Sequence, residues 1–317
     1  MQIHGPALRF GVHSGQQYTD FGTLLDLWQR AEALGYDMVS LFDHFRPPLG
    51  GPAGPCFDGL SLLSALAART ERVRCVIMVS AVTWRHPALA ANIATTIDHV
   101  SGGRLEFGVG AASADLAYEQ YGIPFPSPRV RVEMLDEACH VLRGLWTQPT
   151  TTFSGRHVRL ADARLEPKPL QTRLPLIIGG DGERRTLRVV ARHADIWNTL
   201  AGDPESYARK LAVLGQHCAA TGRDPDSVRK SVTFRVVLAG DRATAQRRWT
   251  QIADHFGPGS PVLDEFVTIG TPEDCVRDLQ PYLRMGVRDF VLGARPPVDW
   301  ASVEMFAQRV VPALRAS

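Results

Sequence analysis

Short apolar runs alternate with longer stretches of helical period along almost the whole chain. Residues 8–12 read as a strand, followed by a helix over 24–34 that stops at Gly35. Residues 38–42 form the next strand pattern and 60–69 the next helix, with Gly59 and Ser61 near its start. The run 73–79 is almost purely apolar, as a strand buried on both faces should be. Pro87 then stands where a first helical turn accepts proline, apolar positions continue to Val100, and Gly102-Gly103 ends that helix before a strand over 105–109. The second half repeats the scheme: strands at 176–178, 195–197, 232–238 and 287–292, with helices over 184–192, from Pro204, over 244–256, and a last one ending near Leu314. This alternation predicts a parallel sheet with right-handed crossovers. About eight units close more naturally into a (β/α)8 TIM barrel than into an open sheet. A doubly wound sheet is the competing arrangement, and no GxGxxG follows the first strand to support it.

The period breaks twice within what reads as one barrel domain over 1–317. Residues 147–174 contain a hairpin pattern turning at Ser154-Gly155, after which Pro167, Pro169 and Pro175 carry the chain back. Residues 257–270 begin as a Gly/Pro-rich loop. Both are expected to be insertions in the βα loops, on the catalytic face where long loops build pockets, with surface padding as the alternative.

Composition narrows the partners. The 317 residues carry a formal net charge of +2 without basic runs, so neither a nucleic-acid nor a membrane surface is indicated. Cys56, Cys75, Cys139, Cys218 and Cys275 are scattered and form no CxxC pair, which argues against a disulfide framework or a zinc site and for a reducing compartment. Residues 1–10 hold no signal-peptide apolar stretch, and no run reaches membrane-span length. A soluble cytoplasmic protein without a metal centre is expected.

In a barrel, polar residues at the C-terminal ends of strands are the first candidates for chemistry. His13-Ser14, Asp43-His44, Ser80-Ala81 and Gly108-Val109-Gly110-Ala111 occupy such positions. Each alone could be a satisfied turn residue; together they point to a shared site. A histidine at a strand end, as His44 is, can exchange a proton with a substrate hydroxyl or carbonyl. Asp43 cannot share its strand face, so the two are expected to have separate jobs, one on cofactor and one on substrate. Ile178-Gly179-Gly180-Asp181-Gly182-Glu183-Arg184 runs from a strand through glycines into a helix start, a pattern that lets backbone N–H groups approach an anion. A glycine turn without ligand is the bland reading of the same string.

These residues, with Ser40-Leu41-Phe42-Asp43-His44-Phe45, Arg85-His86-Pro87, Asp98-His99-Val100-Ser101-Gly102-Gly103-Arg104, Tyr121-Gly122-Ile123-Pro124, Ala191-Arg192-His193-Ala194-Asp195-Ile196-Trp197-Asn198 and Gly270-Thr271-Pro272-Glu273, resemble the luciferase-like monooxygenases and the F420-dependent oxidoreductases among them. The resemblance covers nearly the whole chain. It implies that Asp43 and His44 lie beside the deazaflavin ring, with His44 the proton donor or acceptor. It puts a non-prolyl cis peptide at Ser80-Ala81 behind the ring, Gly110 and Ala111 at the cofactor, and Gly179, Gly180, Asp181, Gly182, Glu183 and Arg184 around its phosphate. The chain departs from the relatives at Ala112-Ser113, where many carry Gly-Trp, and some sugar dehydrogenases of the group place a glutamate acid where Ser113 stands. Their active-site Trp after Asp-His falls near Pro48. Asp115, Tyr118 and Glu119 are the nearby proton sources, and Tyr118 joins His44 and Asp43 as a candidate catalytic residue.

Three functions remain open at this level. Reduced F420 carries a hydride and reacts poorly with oxygen, implying an oxidoreductase acting on a small organic molecule. Reduced FMN forms a peroxide, implying a monooxygenase fed by a separate flavin reductase. A barrel binding a flavin without turnover is the third, since fold alone never fixes chemistry. The glycine string resembles the F420 branch more closely. Relatives are often homodimers, and Phe57, Trp84, Phe125 and Trp197 are candidate pocket or packing aromatics.

Overall fold

The computed structural model describes residues 7–48, 53–113, 115–256 and 267–316. Eight parallel strands close on themselves: β1 (Arg9–His13), β2 (Met38–Asp43), β3 (Arg74–Ala81), β4 (Leu105–Gly110), and, beyond the hairpin β5 (Thr151–Ser154) and β6 (Arg159–Ala163), β7 (Leu176–Gly179), β8 (Ile196–Leu200) and β9 (Arg229–Leu238). A short strand β10 (Val267–Gly270) runs beside the outer half of β9, and β11 (Val287–Gly293) pairs with both β9 and β1 to complete the barrel. That closure excludes the open doubly wound sheet. Around it lie α1 (Phe21–Ala33), α2 (Gly59–Ala67), α3 (Pro87–Val100), α4 (Ala117–Gln120), α5 (Pro128–Thr147), α6 (Thr186–His193), α7 (Pro204–Ala220), α8 (Arg242–Phe256), α9 (Pro272–Arg284), α10 (Trp300–Met305) and α11 (Val311–Arg315). No described helix is long and apolar enough to cross a membrane.

The barrel interior is layered, because alternate residues of each strand point inward. At the bottom, Glu106 and Asp289 are buried and held by arginines: Arg9 reaches both, Arg74 reaches Glu106, and Arg229 reaches Asp289. Above them Met38, Val76, Ile177, Ile196 and Val291 form an apolar plug. The layer above that is polar. His13 Nδ1 lies 2.9 Å from Ser40 Oγ, and Asn198 Nδ2 donates to Ser231 Oγ at 3.0 Å and Thr233 Oγ1 at 3.2 Å. Outside the strands, Leu24, Trp28, Leu63, Leu66, Ala91, Ala94 and Trp146 pack the sheet against its helices. The apolar plug thus separates a charged layer at the foot of the barrel from a polar layer at the C-terminal ends of the strands, where a water-soluble ligand can be recognised.

The first break in the period is a hairpin, but it faces the other way from expectation. It follows a helix, α5, rather than a strand, so it belongs to the side of the strand N-termini. Glu137 on α5 accepts from the backbone N–H groups of Arg156, His157 and Val158, pinning the hairpin turn along that helix. Gln171 further on bonds Asp98, the carbonyl of Leu105 and Arg74, all at the foot of the barrel. The second break, 257–270, lies outside the described residues as far as 266, and its last four form β10.

Candidate active site

At the C-terminal ends of β2, β3, β4, β7 and β8 opens a cavity of about 460 Å³. Asp43, His44, Ala81, Gly110, Ala111, Tyr118, Gly179, Gly180, Asp181 and Gly182 all line it, so most of the residues singled out from sequence come together here. Met78, Val79, Trp84, Thr186, Asn198 and Leu200 line it as well.

Asp43 ends β2 and is almost wholly buried. Its Oδ2 accepts from Ser80 Oγ at 2.5 Å and from Arg85 Nη1 at 2.5 Å, while Oδ1 is buried without a hydrogen-bond partner. Burial pushes the Asp43 carboxyl up, and the Arg85 guanidinium and Ser80 hydroxyl pull against that. Arg85 also pairs with Asp58, the N-cap of α2, so one guanidinium ties the loop after β3 to two acidic groups. Ser80 itself faces this pair rather than the cavity.

His44 points its Nδ1 at Asp115 Oδ2, 3.1 Å away. An ionised carboxylate only accepts, so Nδ1 carries the hydrogen and Nε2 is left for proton exchange. Asp43, the sequence neighbour, plays no part in holding this ring. Tyr118 sits on α4 with its hydroxyl 2.5 Å from Thr83 Oγ1, and its ring stacks on Trp84 at 3.9 Å. Burial pushes its phenol up, which keeps the proton on it at neutral pH. Trp84 Nε1 donates to the carbonyl of Asp43 at 3.1 Å, fixing the aromatic wall against β2. Phe125 packs on Tyr118, Trp197 is core and donates to the carbonyl of Gly180, and Phe57 is exposed away from the cavity. His13 lies fully buried beneath, where burial and the nearby Arg295 and Arg235 push it down to about 3, so it stays neutral at any ordinary pH.

The non-prolyl cis peptide is Met78–Val79, two residues before the expected Ser80-Ala81. Ser80 and Ala81 pair regularly with Val109 and Gly110 of β4, whereas the register slips between Ile77 and Ser80, and that irregularity holds the cis bond. The slip turns the Val79 side chain toward three glycines. A Cβ on Gly108, Gly110 or Gly179 would come within 2.9, 2.7 and 2.8 Å of it. Val79 fills the space that a side chain on Gly110 or Gly179 would need, whereas at Gly108 the backbone carbonyl of Ile77 stands closer still.

On the opposite wall, Gly180 has φ +114 and its N–H donates to the carbonyl of Asn198 at 3.1 Å. Helix α6 then starts at Thr186 with no side-chain cap; the N–H of Leu187 donates to the carbonyl of Gly182 at 3.0 Å, and that of Thr186, which borders the cavity, faces water or an anion. Asp181 is paired with Lys210 of α7. Glu183 and Arg184 do not line the cavity. They stand exposed on the outer rim of the turn, since only the glycine side of the loop faces inward. Arg85, Asp115, Val79 and Trp84 are the site residues that sequence reasoning left without a role or assigned only loosely.

The comparisons with known proteins agree with this geometry. The chain is 29% identical to an F420-dependent glucose-6-phosphate dehydrogenase of Microbacterium testaceum (strain StLB037), over 97% of this chain and 98% of that protein. It is 27% identical to one of Nakamurella multipartita over 98% of both. An F420-dependent secondary alcohol dehydrogenase, solved with an F420–acetone adduct, superposes with a TM-score of 0.81 at 21% identity over 98% of this chain and 99% of that one. A riboflavin lyase superposes at 0.85 with 17% identity, covering 98% and 92%, so the fold alone is shared with enzymes of different cofactor chemistry. The model of the luciferase-like monooxygenase family matches residues 6–263, and the chain belongs to that family.

Proposed function

We propose that this protein is an F420-dependent oxidoreductase that transfers a hydride between the deazaflavin and a small, uncharged carbonyl compound or secondary alcohol. The observation that carries the reading is one cavity holding a proton-exchanging imidazole, an orphaned buried acceptor and an uncapped helix start. Relatives named as F420-dependent across their full length support the choice of cofactor.

The residues present fit that group. Asp43 Oδ1 awaits a donor, and the glycines around Val79 leave a flat floor for a ring. In the loop that Gly179 and Gly180 open, Asp181 and Gly182, with Thr186 at the start of α6, offer backbone N–H groups to a phosphate, while the Gly180 N–H is kept by Asn198. Bound there, the deazaflavin supplies or accepts the hydride. His44 gives a proton to the substrate oxygen on reduction, or takes it on oxidation. Asp115 fixes the imidazole so that Nε2 faces the cavity and stabilises the imidazolium. Trp84 and Tyr118 form an apolar wall that excludes water from the reacting atoms. Among the described residues lining the cavity none is Lys or Arg, which disfavours a phosphorylated substrate such as the one the dehydrogenase relatives are named for.

Equilibrium titration with F420 and with FMN, read by quenching of tryptophan fluorescence, to which Trp84 on the cavity wall contributes, tests the assignment. Micromolar binding of F420 and weak binding of FMN is the expected outcome. The reverse order, with oxygen consumption when a flavin reductase is added, would make the protein a monooxygenase instead. A second measurement concerns Asp115. In Asp115→Asn the carboxamide can face His44 as donor or acceptor, so the tautomer is no longer fixed. The pair is partly open to water, so kcat should fall by about 10²-fold, less than the ~10⁴ seen for a fully buried triad carboxylate. The F420 affinity should not move.

A further inference from the structure

A second constellation lies on the outside of the barrel, where α5 meets α6. Asp136 and His140 are one helical turn apart on α5 and share a face. His193, the last residue of α6, reaches them from 57 positions along the chain. One ligand atom from each of the three lies within 4.8 Å of the others. His193 Nε2 is 2.9 Å from Asp136 Oδ1, and the two imidazoles meet edge to face with centroids 4.4 Å apart.

The protonation states suit metal ligation. His140 Nδ1 lies 3.0 Å from the carbonyl oxygen of Asp136. A carbonyl only accepts, so that nitrogen holds the hydrogen and Nε2 presents its lone pair. His193 Nε2 shares a hydrogen with Asp136 Oδ1, and a bound metal ion would take the place of that hydrogen between the two groups. Two imidazoles and one carboxylate are a donor set for zinc-class ions. Tetrahedral bonds of about 2.0–2.2 Å put such ligand atoms roughly 3.4 Å apart, a value between the 2.9 Å of His193 Nε2 to Asp136 Oδ1 and the 4.8 Å within which all three lie. The negative end of α6 favours a cation at His193.

The surroundings leave access. His140 is exposed, and both histidines border a cavity of about 610 Å³ between α5, α6 and the β5–β6 hairpin. Of the nearby arginines, Arg143 is committed to Asp195 and the carbonyl of Leu174, and Arg223 to the carbonyls of Ala191 and Ala194. Arg192, 3.3 Å from Asp136 Oδ2 and 41% exposed, is the cation among the described residues that must swing aside.

We propose that Asp136, His140 and His193 form a binding site for a divalent transition metal of the zinc class, completed by water and clamping α5 to α6. The test uses full-length protein stripped of metal and titrated with Co2+, the spectroscopic stand-in for Zn2+. One equivalent should bind with a visible absorption band free of thiolate character, and Zn2+ should displace it. Zn2+ should also raise the melting temperature while Mg2+ leaves it unchanged. His140→Ala, an exposed helical position where alanine is well tolerated, should weaken Co2+ binding by about 10²-fold or more, as should His193→Gln. F420 affinity should match the parent in both. Absence of Co2+ binding, binding unchanged in the His140→Ala/His193→Ala double variant, or a thiolate charge-transfer band pointing to Cys56 would overturn the assignment.

Discussion

Replacing His44 by Asn is expected to yield a folded protein that binds F420 nearly as well as the parent and turns over 10²–10⁴-fold more slowly, about 3–5 kcal/mol of lost transition-state stabilisation. Asparagine keeps a polar group of similar size beside Asp115 but cannot exchange a proton near neutrality. The loss should appear in kcat, with the limb of the pH profile belonging to the imidazole removed, and a panel of unsaturated carbonyl compounds and secondary alcohols supplies substrates. Full turnover with an unaltered pH profile would remove His44 from the chemistry. Tyr118 would not be the obvious successor, because burial keeps its proton in place against the opposing pull of the Thr83 hydrogen bond. Asp115 would be examined first.

Gly180→Val should damage binding rather than chemistry. At φ +114 a β-branched residue is strained by about 1–3 kcal/mol, and its Cβ would stand 3.3 Å from Thr186 Cγ2. The backbone cannot rotate to relieve this, because its N–H is held by Asn198 and its carbonyl by Trp197 Nε1 at 2.8 Å. Cofactor affinity should therefore fall by at least about 10²-fold, or roughly 2.8 kcal/mol, in equilibrium titration of a variant shown to be folded by circular dichroism. Unchanged affinity would take the glycine loop out of the cofactor site.

The barrel was legible because its signal is local. Each strand of four to ten residues announces itself by an apolar run, and each helix by its period and its stop. Asp43-His44 and the glycine string were legible for the same reason, since both are contiguous and sit at strand ends. What the sequence did not show are partnerships across the barrel. Asp115 is 71 residues from His44, and Arg85 is 42 from Asp43. Such pairs are decided by strand register and closure, which no window of sequence contains. The misplaced cis bond has the same origin: apolar 73–79 gives no hint that the register slips inside it. The hairpin was recognised by its pattern, but its side of the barrel depended on whether a helix or a strand came before it. Counting the whole of α5 as a helix settles that.

The contact of Val79 with Gly110 and Gly179 makes positions on two further strands answer to one side chain. A methyl group gained at Gly110 or Gly179 collides first with the same valine, so these two and residue 79 form an epistatic set in which the order of substitution matters, while Gly108 is closed independently by the backbone carbonyl of Ile77. A change from Gly110 to alanine is blocked while valine is present and becomes admissible only after residue 79 has shrunk. Lineages of this protein that reshape the floor of the pocket are therefore constrained to pass first through position 79, and libraries meant to alter ligand preference gain little from varying the glycines one at a time.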